Sequence, residues 1–502
     1  MRTVEKQPRP VPSSLSQKAA VGFAWLIIQT LITKIVTIAG QIALARFLRP
    51  EDFGLVSLAY ATTAIVGLIQ YTGLQQILIQ RQARFSRWAN ATFWLAMVTH
   101  VLATLAMIVA APIAGNFYGN SELTGLILVL AVTPIIGALQ FVPMAWLQSQ
   151  LQFRPLSFIG VGESILTVGL SVVFAWLGFN AYSFVLPIVL VGLLRVVVLW
   201  LIAKPAICLI RLNLQVRRWR YLIGNSFLLF ATAGCVVITL QGDYIILGLF
   251  YSKAEVGIYY FGYNLSMQAT QLLTRSLLTV LFPALNQLQR EPDRQQQAFL
   301  RATRLLNFVG MPLCLVQAAL ADPVMRLLFG TKWLSSIPIL QILSIGMALQ
   351  LSNSSVISLL QAQGRFRTWL SISASCAIIF AALVLGAALT GGAVSVAIAV
   401  ALYSGIAGLI HLYAALQTWS KSWKEISLIY FIPFAVASIV VGGAVVSSRL
   451  MLYWAAEPVL QAFAILMISF FVYLPIIRRI APNEWADLSK KLPKWRKAAT
   501  RA

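Results

Sequence analysis

Over 502 residues the chain is 59% hydrophobic and only 10% charged, with a mean hydropathy of +0.83. A soluble domain carries roughly 25% charged residues, so this composition excludes a globular enzyme on a single anchor and indicates a polytopic membrane protein. The net charge of +24 would point to nucleic acid in a soluble chain; here the bases follow the membrane topology, and no nucleic-acid partner is expected.

Residues 1–20 hold Pro8, Pro10 and Pro12 among scattered bases and read as a cytoplasmic tail. No short apolar core with a small-residue cleavage site follows, so the first span is predicted to be uncleaved. Fourteen apolar segments are predicted to cross as helices, an all-α fold: 21–45, 54–80, 88–115, 122–147, 156–178, 181–203, 221–250, 256–282, 303–328, 334–360, 367–389, 393–417, 426–447 and 457–480. In the first, Thr30, Lys34, Thr37 and Gln41 are spaced four, three and four apart and share one helix face. An ammonium at bilayer depth is too costly to point at lipid, so this stripe is expected to face protein or a wet cavity. The second span carries Tyr60, Thr63, Gly67 and Gln70 on one face. The seventh has Asn225, Thr232, Thr239 and Asp243, and the eighth Asn264, Gln268, Gln271 and Arg275. Scattered serines and threonines are accounted for as hydrogen-bonded packing between helices. Four polar stripes in these particular spans argue for a cavity that they line together.

The spans sort the basic residues. Of 38 Lys and Arg, the termini and the loops on their side take 29 and the opposite side takes six, while Lys34, Arg195 and Arg275 lie within spans. Lys and Arg mark the cytoplasmic side and acids count for little, so both termini are expected in the cytoplasm, with a basic linker at 206–220 and a basic tail at 481–502.

The chain also repeats. Phe47, Gly54 and Tyr60 recur as Phe250, Gly257 and Tyr263, all offset by 203, and LQSQLQFR (147–154) recurs as LQAQGRFR (360–367), offset by 213. Two lobes of six spans follow, 21–205 and 221–417, with the last two spans (426–480) outside the repeat. Each lobe has an even number of spans, so the copies share one orientation. Parallel repeats of this kind place a substrate site between halves that rock.

At 1.5 Å of rise per residue, Lys34 lies roughly 18 Å from the cytoplasmic end of its span, Arg195 roughly 12 Å and Arg275 roughly 9 Å. Snorkelling can rescue Arg275 and Arg195 more readily than Lys34. Bases stepping inward suit an anionic cargo such as a phosphate, which Arg clamps bidentately and Lys holds as a point charge. Glu163 and Asp243 are the carboxylates within spans; each either balances a base as a structural ion pair or carries a proton or sodium ion for coupling. No Walker A, HExxH or GxSxG sequence occurs, and no acidic loop cluster could hold Mg²⁺. The four cysteines are scattered, and His100 and His411 lie far apart. Catalytic residues, metals and cofactors are therefore not expected.

The runs LARFLRPEDFGLVSLA (44–59), LFYSKAEVGIYYFGY (249–263), FGTKWLSSIPILQIL (329–343) and LQAQGRFR (360–367) resemble the polysaccharide-transporter branch of the multidrug/oligosaccharidyl-lipid/polysaccharide exporter superfamily. The resemblance implies a bacterial inner-membrane flippase. Its cargo would be an undecaprenyl-pyrophosphate-linked sugar repeat unit, moved for capsule, exopolysaccharide or O-antigen assembly. It also implies two six-helix lobes around a cationic cavity, a groove for the lipid tail on the last two helices, contact with membrane lipids, and hand-over to a polysaccharide polymerase or export complex. Lys34, Arg275 and Arg195 are then candidates for the pyrophosphate, and Thr30, Thr37, Gln41, Tyr60, Gln70, Asn264, Gln268 and Gln271 for the cavity lining. Three alternatives stay open at this level: a lipid II flippase, a multidrug/cation antiporter of the same fold, and a membrane glycosyltransferase or polymerase. The antiporter would want net acid where bases outnumber acids, and the transferase would want a catalytic loop longer than any present.

Overall fold

The computed structural model describes residues 13–70, 85–150, 152–203, 216, 219, 227–419, 423–451 and 458–480. Every regular element among them is helical: α1 (Ser13–Phe47), α2 (Pro50–Val66), α3 (Phe85–Phe117), α4 (Ser121–Leu130), α5 (Thr133–Ser149), α6 (Phe153–Trp176), α7 (Tyr182–Ile202), α8 (Phe227–Phe250), α9 (Lys253–Gln287), α10 (Pro292–Ala319), α11 (Ile337–Leu349), α12 (Ser352–Ala362), α13 (Phe366–Thr390), α14 (Ala393–Leu416), α15 (Ile432–Met451) and α16 (Pro458–Ile480), with short turns of 3₁₀ and π helix between some of them. Thirteen stretches among the described residues are long and apolar enough to cross a membrane. The remaining expected span is α9, 35 residues long, whose polar positions Asn264, Gln268 and Gln271 dilute its apolar character. Helices dominate for a solvent reason: in hydrocarbon a backbone must satisfy its own hydrogen bonds.

Two expected spans prove to be broken. Residues 122–147 divide into α4 and α5 because Pro134 sits in the first turn of α5, where its missing N–H is no loss and its ring interrupts the preceding helix. The carbonyl of Ala131 at this break accepts a hydrogen bond from Thr104 Oγ1 of α3 at 2.9 Å. Residues 334–360 divide at Gln350–Leu351. The run Ser352-Asn353-Ser354-Ser355 that follows competes for backbone groups, as such side chains do, and Ser355 Oγ donates to the Ser352 carbonyl at 2.8 Å.

The chain packs as two compact units. The first comprises Met1–Phe47 and Val66–Phe227. Within it α1 lies along α6: Gly40 faces Val168, Gly160 faces Gln29, and Trp25 meets the Phe158 ring at 5.2 Å. Its core joins Phe85, Ala89 and Phe93 of α3 with Val142 of α5 and Leu199 of α7. The indole of Trp200 donates to the Leu139 carbonyl at 3.0 Å, tying α7 to α5.

The second unit comprises Leu48–Ile65 and Leu228–Ala502. Phe53 of α2 packs edge-on against Phe261 of α9 and against the fully buried Trp333, which itself stacks on Phe261 with centroids 4.0 Å apart. Phe308 and Leu315 of α10 meet Ala437, Val440 and Val441 of α15 and Tyr473 of α16. Asn307 donates to the Ile429 carbonyl at 2.7 Å, within the π turn Ser427–Phe431 that precedes α15.

The repeat is visible in backbone detail. Helices α1 and α8 end at Phe47 and Phe250, and α2 and α9 begin at Pro50 and Lys253, in both cases 203 apart. Helices α6 and α13 begin 213 apart, at Phe153 and Phe366. The residues before them, Gln152 (φ −82°, ψ 63°) and Arg365 (φ −83°, ψ 53°), have the same conformation. Their N–H groups reach back five residues, to the carbonyls of Leu147 at 3.0 Å and Leu360 at 2.9 Å. At the starts of α2 and α9, a Cβ on Gly54 would fall on the Lys253 carbonyl, and a Cβ on Gly257 would fall on that of Pro50. Gly54 and Gly257 are repeat partners, and so are Pro50 and Lys253, so this contact has local twofold symmetry.

Candidate functional site

The α1 stripe takes its position from how α1 packs. Gln29 and Gly40 face α6, while Leu31, Ile35 and Ile38 are exposed, Ile35 at 70%. With about 100° of turn per residue, Thr30, Lys34, Thr37 and Gln41 lie roughly a quarter-turn from the α6-facing side, between it and the exposed apolar side. All four are half-buried. Thr37 Oγ1 donates to the Thr33 carbonyl at 2.8 Å, which absorbs its hydroxyl within the helix. Lys34 therefore stands mid-helix, on the flank of the apolar face and not at its centre.

Tyr60 of α2 is half-buried in the second unit. Gln70, also half-buried, ends the 3₁₀ turn Gly67–Gln70 that follows α2. On α9, Asn264 donates to the Tyr260 carbonyl at 2.9 Å, the Gln271 amide lies 3.9 Å from Met267 Sδ, and Gln268 is half-buried. Arg275 belongs to α9, but its side chain, like Asn225 of the seventh span, lies outside the described residues.

The two carboxylates have different partners. Arg195 of α7 donates through Nη1 to Glu163 Oε1 of α6 at 2.8 Å, with the side chains 23% and 34% exposed. The second guanidinium nitrogen, Nη2, approaches Met144 Sδ at 3.8 Å, and Nε is buried with no partner in the protein. The positive charge of Arg195 is thus balanced where it stands. The pair lines an otherwise apolar groove between α6 and α7, walled by Phe158, Ile159, Leu166, Leu194 and Val198.

Asp243 of α8 is completely buried. Its Oδ2 accepts from the Tyr259 hydroxyl at 2.7 Å and its Oδ1 from the Tyr244 N–H at 3.0 Å. The rings of Tyr259, Tyr260 and Tyr263 lie within 6 Å of that of Tyr244. No Lys or Arg pairs with Asp243 among the described residues. The tyrosine cage was not foreseen from sequence, although the closely spaced Tyr259, Tyr260 and Tyr263 were its one visible sign.

A further feature had no sequence signal. Helices α8, α9, α11, α12, α13 and α14 of the second unit enclose a partly open cavity of ≈ 180 Å³, with Asn353, Trp369, Tyr403 and His411 among its walls. No helix contributes more than four residues to it, so no single stretch betrays it.

A helical bundle with parallel-repeat elements, thirteen stretches among the described residues long and apolar enough to cross a membrane, and ionisable groups within such stretches is a multi-pass membrane protein of transporter type. Residues 43–338 match the family described as polysaccharide biosynthesis protein, and the chain belongs to that family. It is 25% identical over 358 residues to the teichuronic acid biosynthesis protein TuaB of Bacillus subtilis, covering 70% of this chain and 73% of TuaB. It is 23% identical over 322 residues to the succinoglycan biosynthesis transport protein ExoT of Rhizobium meliloti, covering 64% and 65% of the two chains. Among solved structures, the lipid II flippase MurJ in an inward closed conformation superposes with a TM-score of 0.70 at 13% identity, covering 90% of this chain and 98% of MurJ. The fold is shared with MurJ.

Proposed function

We propose that this chain is a flippase that turns a polyprenyl-diphosphate-linked oligosaccharide repeat unit across the bacterial inner membrane by alternating access, for capsule, exopolysaccharide or O-antigen assembly. Carrying the headgroup unaided through hydrocarbon would strip a charged diphosphate and many hydroxyls of water, a very large cost. A protein that offers fixed positive charge and polar side chains lowers that barrier. Lys34 takes the diphosphate, and Arg275 is a further candidate for that role; Arg195, whose charge Glu163 already balances, is the weaker third. The half-buried stripe of Thr30, Thr37 and Gln41 serves the sugars, as do Tyr60, Gln70, Asn264, Gln268 and Gln271, while the prenyl chain stays in lipid. The 29-to-six distribution of bases puts both termini in the cytoplasm, so the cargo is loaded there and delivered on the far side to a polysaccharide polymerase or export complex. Asp243, with no basic partner among the described residues, is the better candidate of the two carboxylates for carrying a coupling ion; Glu163 is already committed to Arg195.

The observation that carries this reading is the depth of Lys34. It stands in the middle of a helix whose neighbouring Ile35 is 70% exposed, too far from either end for easy snorkelling, and an ammonium held there is functional by default. The test is export of the sugar polymer by Lys34→Ala in cells lacking the native chain. Export should be abolished at unchanged membrane abundance, and Lys34→Arg should restore part of it. Intact export by Lys34→Ala would remove Lys34 from the headgroup site. Flipping assays in liposomes with lipid II beside a polyprenyl-diphosphate hexose separate the two lipid-linked cargoes.

A further inference from the structure

The cavity inside the second unit has a chemistry distinct from the basic residues above. Among the described residues no Lys, Arg, Asp or Glu lines it. Its walls combine aliphatic side chains such as Val236, Leu240 and Ile357 with aromatic faces, Tyr263, Trp369 and Tyr403, and neutral hydrogen-bonding groups, Gln350, Asn353 and His411. Asn353 and Trp369 belong to the lining, and each carries a buried polar atom with no partner in the protein, the acceptor Asn353 Oδ1 and the donor Trp369 Nε1, which a ligand reaches only if these side chains turn toward it. His411 donates through Nδ1 to the Ala407 carbonyl at 2.8 Å, which leaves Nε2 as a further acceptor. A charged ligand would find nothing here to balance its charge. An alkyl or prenyl chain would leave the donor and the acceptors unsatisfied. A hydroxyl both donates and accepts, and aromatic walls with a few placed polar groups are how small polar ligands are oriented in a pocket.

We infer that this cavity is a subsite for one uncharged sugar ring of the cargo. A cavity of about 150 Å³ holds a benzene ring, so a volume of ≈ 180 Å³ is space for one six-membered sugar ring. The inference rests on the reading of the chain as a carrier of lipid-linked sugar, and it assigns the charged and uncharged parts of the headgroup to different residues. Recognition of the diphosphate falls to basic side chains, and recognition of a sugar to the neutral cavity of the second unit.

The experiment uses the full chain in liposomes with two probes, polyprenyl diphosphate without sugar and polyprenyl-diphosphate-linked hexose, and two variants, Asn353→Leu and Trp369→Phe. Each variant should slow flipping of the hexose-bearing lipid by about tenfold, the worth of one hydrogen bond, and leave the sugar-free lipid unchanged. The sugar-free arm also shows that the variants fold. Equal rates for both lipids in both variants, or equal loss on both, would overturn the subsite and mark the cavity as a water pocket or a packing feature. Saturation-transfer NMR with methyl hexosides on the detergent-solubilised chain separates the subsite from the transport reading. If the wild type flips neither lipid yet binds the glycoside, and Asn353→Leu abolishes that signal, the subsite stands and the transport reading falls. If the wild type flips neither lipid and binds no glycoside, both fall.

Discussion

Alanine at Gly54 would place its Cβ on the Lys253 carbonyl oxygen, and alanine at Gly257 would place it on the carbonyl of Pro50. The obstacles are backbone atoms, and the facing amide nitrogens of Gly257 and Gly54 stand only 3.1 Å and 2.8 Å from those Cβ positions. No rotamer change can relieve such a clash, so the starts of α2 and α9 must move apart. Overpacking of this kind costs about 1–3 kcal/mol. Alanine regains roughly 0.5–1 kcal/mol over glycine within a helix, and because the obstacle is rigid backbone the upper part of the overpacking range applies, so each variant should lose about 1–2.5 kcal/mol net. The contact is locally twofold, so Gly54→Ala and Gly257→Ala should lose equal amounts. In the double variant the second methyl meets helices already separated, and its cost should fall short of the sum by at least about 0.5 kcal/mol. Unfolding of the purified chain in detergent, at one fixed scan rate and alongside membrane abundance, measures all three. Gly162→Ala and Gly169→Ala serve as controls, because a Cβ there meets nothing within 4 Å; both should be neutral or mildly stabilising. Wild-type stability in Gly54→Ala, or a strictly additive double variant, would refute the reasoning.

The α6–α7 ion pair and the caged carboxylate give two further tests. Glu163→Gln leaves the Arg195 guanidinium unbalanced, and with side chains 23% and 34% exposed the loss should fall at about 1–2 kcal/mol, between an exposed pair's value and a buried pair's. Adding Arg195→Gln should recover part of that loss; a double variant as costly as the two singles summed would mean that the residues are not coupled. Asp243→Asn should leave flipping in liposomes insensitive to an imposed proton or sodium gradient, and a gradient response equal to that of the wild type would make the tyrosine cage purely structural.

What the sequence by itself determined is whatever depends on local composition and period. A bilayer admits helices of a certain length and little else, so the spans could be read as apolar runs. The repeat was legible because equivalent turns need equivalent residues. LQSQLQFR and LQAQGRFR end in the same backbone conformation at Gln152 and Arg365, and the recurring Gly54 and Gly257 are the residues that let α2 and α9 touch. Partnership was beyond it. Glu163 and Arg195 are 32 residues apart, and helical period alone cannot say that α6 and α7 turn them toward each other. Nor can it say that Asp243 receives a tyrosine hydroxyl while Glu163 receives a guanidinium. The neutral cavity lies furthest from the sequence, since six helices lend it between one and four residues apiece and its chemistry exists only where they converge. Helices form from contacts within a few residues, but ion pairs and cavities belong to the packing between them, and that was decided only when the chain folded.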